Sequence, residues 1–387
     1  MKALLYHAGQ GLPQLEDVDI DTPRPDEVLV KVLAAGVCHS DLQFIESRET
    51  NTSKGLYGAY DAKRETRLQP GTTERRVEER EAEMLVMGHE PCGIVLAVGD
   101  SVRTLRAGDH VVALGMSYCG RCRSCLVGWP HLCTTLPRRS PDDKPRLSFQ
   151  GRRVTQFANV GAFAEEILVH ETSLVQIGQG VPPASAAILG CCVATGVGSA
   201  LNSAKVQPFS SVAVFGTGGI GMSALQGSRI AGASTIVAVE PSEDKRELAR
   251  RLGATHTIDP FSDDPVEAIA DLTEGRGVDY SFETTAIDSV AQQAYDVLGL
   301  RGTLTCLSSA PADIRTVIGT ERSVKGSYLG STRPQIDIPY YLDLYREGRL
   351  FLDEMIGQQI TPAAFSKANK ILEHSGAARV VIDFTSC

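Results

Sequence analysis

No apolar run in this 387-residue chain reaches the ~20 residues that a membrane-spanning helix needs. The amino terminus, Met1–Tyr6 followed by His7-Ala-Gly-Gln-Gly11, is too brief an apolar stretch for a secretory leader and carries no cleavage pattern. A basic stripe is missing as well. The chain has 47 acidic against 38 basic residues and a net charge of −9, which argues against a nucleic-acid partner. Internal repeats and low-complexity linkers are absent. These absences predict a soluble, cytoplasmic protein that works with neither membrane nor nucleic acid. The length suffices for two domains, each with its own core.

Cysteine, by contrast, is plentiful and clustered, with ten in the chain. Cys119, Cys122 and Cys125 are each separated by two residues, and Cys133 follows closely. Four soft thiolates on one short loop suit a tetrahedral zinc, and a zinc with four protein ligands is structural rather than catalytic. An iron–sulfur cluster is the alternative. Gly36-Val-Cys-His-Ser-Asp41 places a thiol, an imidazole, a hydroxyl and a carboxylate in consecutive positions. Taken alone, Cys38 reads equally as a small buried residue. Gly88-His-Glu90 and Gly190-Cys-Cys-Val-Ala-Thr-Gly196 are two further segments with potential ligands.

The chain changes character along its length. Residues 1–35 alternate in short runs, an antiparallel β start, and β segments continue through Val160–Val169, with a polar, basic loop over 137–153. Residues 46–86 form an insertion dense in both charges, with a helix expected at Glu74–Glu83; it reads as a solvated excursion, or as a lid or subunit contact. From residue 193 to 328 strands and helices alternate, among them helices Glu243–Leu252 and Ile287–Leu298 and strands Val278–Glu283 and Gly302–Leu307, which predicts a doubly wound parallel sheet, and the tail adds a helix over Ala363–Glu373. Within that sheet, Val212–Phe215 runs directly into Gly216-Thr-Gly-Gly-Ile-Gly221. This G-x-G-x-x-G lets the backbone turn tightly, approach a pyrophosphate and pack a helix on the strand. A helix from Met222 to Ala231, a strand Thr235–Val239 and Glu240 follow, in the order a dinucleotide site requires; a structural glycine turn is the alternative. Glu240 would meet the adenosine ribose and favour NAD over NADP, while Lys245 and Arg246 just beyond weaken that preference.

Together these segments, with Ala378-Arg-Val-Val-Ile-Asp-Phe384, resemble the zinc-dependent medium-chain alcohol dehydrogenases over essentially the whole chain. The four-cysteine loop points to the branch that includes thiol-dependent formaldehyde dehydrogenases. The resemblance implies a mainly β, partly open-barrel (GroES-like) catalytic domain, residues 1–192 and 329–387, and a Rossmann cofactor domain, residues 193–328. It implies two zinc ions per chain and NAD(H). Cys38, His89 and Cys191 would hold the catalytic zinc, with Glu90 a transient ligand, and Cys119, Cys122, Cys125 and Cys133 the structural one. Asp41 would orient His89, and Ser40 would take the alcohol's proton. His39 and Arg379 would meet the pyrophosphate, Lys245 the cofactor, and Thr195 and Ile220 the nicotinamide. Gly216, Gly218, Gly219 and Gly221 would cradle the phosphates, and Gly115 and Phe157 would line the substrate pocket.

The implied reaction passes hydride between a primary or bulky alcohol, or its aldehyde, and NAD. The alternatives are a thiol-dependent formaldehyde dehydrogenase, an enzyme that keeps its NAD and uses an external acceptor, and a non-catalytic NAD(H)-binding regulator. A homodimer is expected, with a tetramer possible. The chain departs from the family pattern at Gln43, where relatives carry a proton-passing histidine, at Gly115, where relatives place an aromatic residue, and in its longer segment between the first two ligands.

Overall fold

The computed structural model describes residues 1–50, 82–140, 142–368, 371, 376 and 378–385. The expected helix Glu74–Glu83 lies almost wholly outside them, as does the end of the one expected over Ala363–Glu373, which begins as a 3-10 turn, Pro362–Lys367.

The strand Ser211–Phe215 sits at the centre of a six-stranded parallel sheet. His256–Ile258 and Thr235–Val239 lie on one side of it, and Val278–Glu283, Leu298–Cys306 and Ser323–Gly326 on the other. Val212, Ala213, Val214 and Phe215 are fully buried, as helices on both faces demand. Strand order reverses between Ser211–Phe215 and Val278–Glu283, and ligands bind such sheets at that point, beyond the carboxyl ends of the strands.

Gly216 leaves the central strand at φ +82°, a left-handed turn that a side chain would strain. The helix then runs Gly219–Ile230, starting three residues before the expected Met222. A Cβ on Gly221 would strike the carbonyl oxygen of Gly216, so the third glycine is fixed by strand–helix contact. A second helix, Cys192–Gly198, packs across the first: a Cβ on Gly196 would meet the Ile220 carbonyl, and one on Gly227 would meet Val197.

The β part is organised by the long strand Glu27–Val37. It pairs antiparallel with Glu90–Val98, with Glu166–His170 and with Arg379–Asp383. The registers Gly36↔Glu90 and Val37↔Val380 bring three distant segments to one end of the sheet. The polar stretch 137–153 is not wholly loop. It contributes the hairpin Leu147–Phe149 with Arg152–Gln156, whose arginines face out while Val154 and Gln156 face in. A buried ionic cluster pins it: Arg146 donates to Glu27 (2.7 Å) and to Asn159 (3.0 Å), and Arg139 also grips Glu27 and Asp21. Helix His39–Thr50 extends into the expected insertion. Among the described residues no single helix is long and apolar enough to cross a membrane.

Candidate active site

Cys38 follows the last residue of the long strand, His89 precedes Glu90 at the start of its neighbour, and Cys191 precedes the helix Cys192–Gly198. One donor atom from each of Cys38, His89, Glu90 and Cys191 lies within 4.8 Å of all the others, and all four residues are buried. Asp41, fully buried, braces two of them at once. Its Oδ2 accepts the Cys38 backbone N–H at 2.9 Å, and its Oδ1 lies 3.1 Å from His89 Nδ1. That contact leaves His89 Nε2 toward the thiols, as a ligating imidazole needs.

Electrostatics favour the deprotonated thiol. The Cys191 hydrogen bond, then the Arg379 guanidinium and His89, hold Cys38 well below the ordinary thiol range. Burial pushes Glu90 up to about 7 against the pull of Arg379. Arg379 Nη2 donates to Glu90 Oε1 at 2.9 Å and approaches Cys38 Sγ at 3.5 Å. Glu90 Oε2 is buried without a hydrogen-bond partner among the described residues and is part of a donor set able to take a cation.

The second cluster is as compact. Cys122 and Cys125 sulfurs lie 3.5 Å apart, Cys122 and Cys133 3.9 Å, and Cys133 and Cys119 3.6 Å. Zinc–sulfur bonds of ~2.3 Å in a tetrahedron put sulfurs roughly 3.8 Å apart. The Cys119 and Cys122 backbone N–H groups each donate to a cluster sulfur at 3.3 Å, which suits thiolates. Both donor sets therefore fit zinc.

A single cleft joins the first set to the glycine loop. It is lined by Cys38, His39, Ser40, Gln43, His89, Gly115, Phe157, Cys191, Thr195, Gly216, Gly218, Gly219, Ile220, Gly221, Lys245 and Arg379. A Cβ on Gly218 would meet nothing within 4 Å, so the loop leaves open room where a pyrophosphate would lie. Arg379 lies under the same loop, since a Cβ on Gly219 would come within 2.8 Å of its Cζ. Its Nη2 is held by Glu90, and it lines the cleft beside the glycine loop, where the pyrophosphate contact is expected.

Glu240, expected at the adenosine ribose, also braces the glycine loop. It is 5% exposed and does not line the cleft. Its Oε2 accepts the Thr217 N–H at 2.8 Å and the Thr217 hydroxyl at 3.0 Å, and its Oε1 accepts Ser242 N–H at 3.1 Å. The turning glycine loop leaves the Thr217 N–H without a sheet partner, and Glu240 is the acceptor the next strand supplies. Sequence reasoning missed Ala158, Thr284, Thr285, Ala286, Leu307, Ser308, Ser327, Tyr328 and Leu329, which complete the cleft. Most of these follow the carboxyl ends of parallel strands, and that position was the available signal.

A family model for the alcohol dehydrogenase GroES-like domain matches residues 24–179, and one for zinc-binding dehydrogenases matches residues 219–347. The chain is 34% identical to an NDMA-dependent alcohol dehydrogenase of Amycolatopsis methanolica, covering 92% of this chain and 90% of that one. It is 31% identical to a class-3 alcohol dehydrogenase of Myxine glutinosa, covering 95% and 93%. The crystal structure of benzyl alcohol dehydrogenase from Acinetobacter calcoaceticus matches with a TM-score of 0.83 at 30% identity, over 99% of this chain and 98% of that one. Likeness of this extent over nearly the whole length shows that the chain belongs to the zinc-type medium-chain alcohol dehydrogenases and is a zinc- and NAD-dependent alcohol oxidoreductase.

Proposed function

We propose that this enzyme oxidises primary alcohols that carry a bulky, aryl or branched group next to the carbinol carbon, or reduces the matching aldehydes. The observation that carries this reading is the pair of small residues beside His89. Gly115 and Ala158 both line the cleft beside His89 and bring no side chain larger than a methyl group to it. Phe157 also lines the cleft, its ring 5.7 Å from His89 edge to face, and offers an aromatic surface to a substrate ring.

In this reading Cys38, His89 and Cys191 hold the catalytic zinc, and Cys119, Cys122, Cys125 and Cys133 the structural one. When bound, zinc supplies the Lewis acidity that acidifies the alcohol, and NAD takes the hydride. The chain's own residues orient and exclude. Asp41 fixes Cys38 and His89, Ser40 accepts the alcohol's proton, and Thr195 and Ile220 align the nicotinamide. The glycine loop holds the phosphates, with His39 and Lys245 beside it in the cleft. Residues 193–328 form the cofactor domain and the remainder the catalytic domain. We also take the protein to be a cytoplasmic homodimer without membrane or nucleic-acid partners.

The test is a panel of ethanol, hexanol, benzyl and cyclohexylmethyl alcohols with NAD, at matched zinc content. The reading requires kcat/KM for the ring-bearing alcohols to exceed that for ethanol; the reverse order removes it. Likeness to the NDMA-dependent enzyme supports a second reading, in which NAD stays bound and an external acceptor reoxidises it. Release of NAD(H) on denaturing the purified protein, with no turnover of added NAD, would select that reading.

A further inference from the structure

Glu283 ends the strand Val278–Glu283 and is fully buried. Its carboxylate gathers five uncharged donors from two separate loops. Oε1 accepts the Thr285 N–H, the Thr285 hydroxyl at 2.9 Å and the Ala286 N–H at 2.9 Å. Oε2 accepts the Ser308 N–H at 3.2 Å and the Ser309 N–H at 2.7 Å. Glu283 pairs in register with Cys306, so both loops leave the sheet at its carboxyl edge, side by side. Thr284, Thr285, Ala286, Leu307 and Ser308 line the cleft, whereas Glu283 does not. The first loop is in turn tied to the glycine loop, because the Thr284 hydroxyl lies 3.0 Å from both the Phe215 and the Gly216 carbonyl oxygens.

Chain leaving a parallel strand has no ladder partner for its N–H groups. An ionised carboxylate is the acceptor that can take several of them through strong, charge-assisted bonds. We propose that Glu283 is a positioning residue for the dinucleotide: it locks segments 284–286 and 308–309 into the shape the cofactor meets, without touching the cofactor. The proposal rests on the cleft being the NAD site. A glutamine at this position keeps the shape but turns one oxygen into an NH2 group facing N–H donors. One loop then loses its acceptor, and the cost of ordering it falls on cofactor binding.

The experiment is the NADH dissociation constant by fluorescence, for the zinc-loaded wild type and for Glu283→Gln. Glu27→Gln serves as the control for general loss of stability. Glu27 is also buried and multiply bonded, but its partners Arg139 and Arg146 lie outside the cleft. Glu283→Gln is expected to weaken NADH roughly tenfold with unchanged zinc content. Glu27→Gln should lower Tm and leave NADH binding alone. A Glu283→Gln constant within twofold of wild type, or an equal loss in Glu27→Gln, overturns the proposal. Wild type that neither carries NAD(H) as purified nor binds added NADH overturns the NAD site itself. Should Glu283→Gln not fold, hydrogen exchange on the wild type decides. The Ala286, Ser308 and Ser309 amides should be protected, and fast exchange at all three refutes the lock.

Discussion

Replacing Gly115 with phenylalanine tests the pocket directly. The backbone tolerates the change, because Gly115 is not among the positive-φ glycines. What it lacks is space. The new Cβ would sit 3.3 Å from Ala158 Cβ and 3.7 Å from His89 Cδ2, at a position that lines the cleft. A ring placed there takes up the volume assigned to the substrate's own ring. One or two methylene-sized contacts discriminate by about 1–3 kcal/mol, or roughly 5- to 150-fold in kcat/KM. Gly115→Phe should therefore lower kcat/KM for benzyl alcohol by that factor relative to ethanol. Gly115→Ala, adding only the first carbon, should fall between. Initial rates with both alcohols at saturating NAD give the ratio, and metal analysis checks that His89 still holds its ion. Equal losses for the two alcohols at full zinc content would place residue 115 outside the pocket and sink the reasoning.

Cys122→Ser should lower Tm and release one zinc per chain, because a closed thiolate site contributes to folding, whereas Cys38→Ser should abolish turnover with little change in Tm; calorimetry with metal analysis separates them. Gln43→His should speed alcohol oxidation where proton release limits the rate and add a pH dependence near 6.5. Superimposable kcat–pH profiles and solvent isotope effects would exclude residue 43 from the relay. Burial works to raise Asp21, but hydrogen bonds from Lys144 and Arg139 outweigh it and hold the carboxyl at about 2. Its folded pKa thus lies below its unfolded one, so its contribution is present above about pH 4–5 and lost as pH falls toward 2. Asp21→Asn should lower Tm at pH 6, and the gap to wild type should close on acidification.

The cofactor half was the more legible part of the sequence. Helix Glu243–Leu252 matches its expected limits because local signals set both ends: the Ser242 hydroxyl caps its start, and Gly253 at φ +120° ends it. Strands Thr235–Val239 and Val278–Glu283 likewise match, being apolar runs between turns. The strand Leu298–Cys306 begins at the residue where the helix was expected to end, since the helix stops at Asp296 and only Val297 separates it from the strand. The hairpin at 147–156 reads as loop because Arg152 and Arg153 put charge at the start of a strand that is nonetheless paired on both sides. No spacing rule joins Cys38, His89 and Cys191, which depend on long-range strand register; the family resemblance suggested that group, and the geometry brings the three together. The motif predicts an acid at this strand end and Glu240 supplies it, while its hydrogen bonds to Thr217 are a contact the motif does not specify.

The crossing of Cys192–Gly198 over the glycine-loop helix also bears on assembly. Cys191 is joined to that crossing, while Cys38 and His89 sit at the end of the antiparallel sheet. The three donors thus come from two packed pieces of the structure, the end of the antiparallel sheet and the start of the crossing helix, and a metal held by all three would bridge them. Affinity for the catalytic zinc then serves as a gauge of how well the two pieces are seated. A substitution at a residue that is not itself a ligand, such as one that fills the Gly196–Ile220 contact, would register as weaker metal retention before it registered in the sheet of either piece.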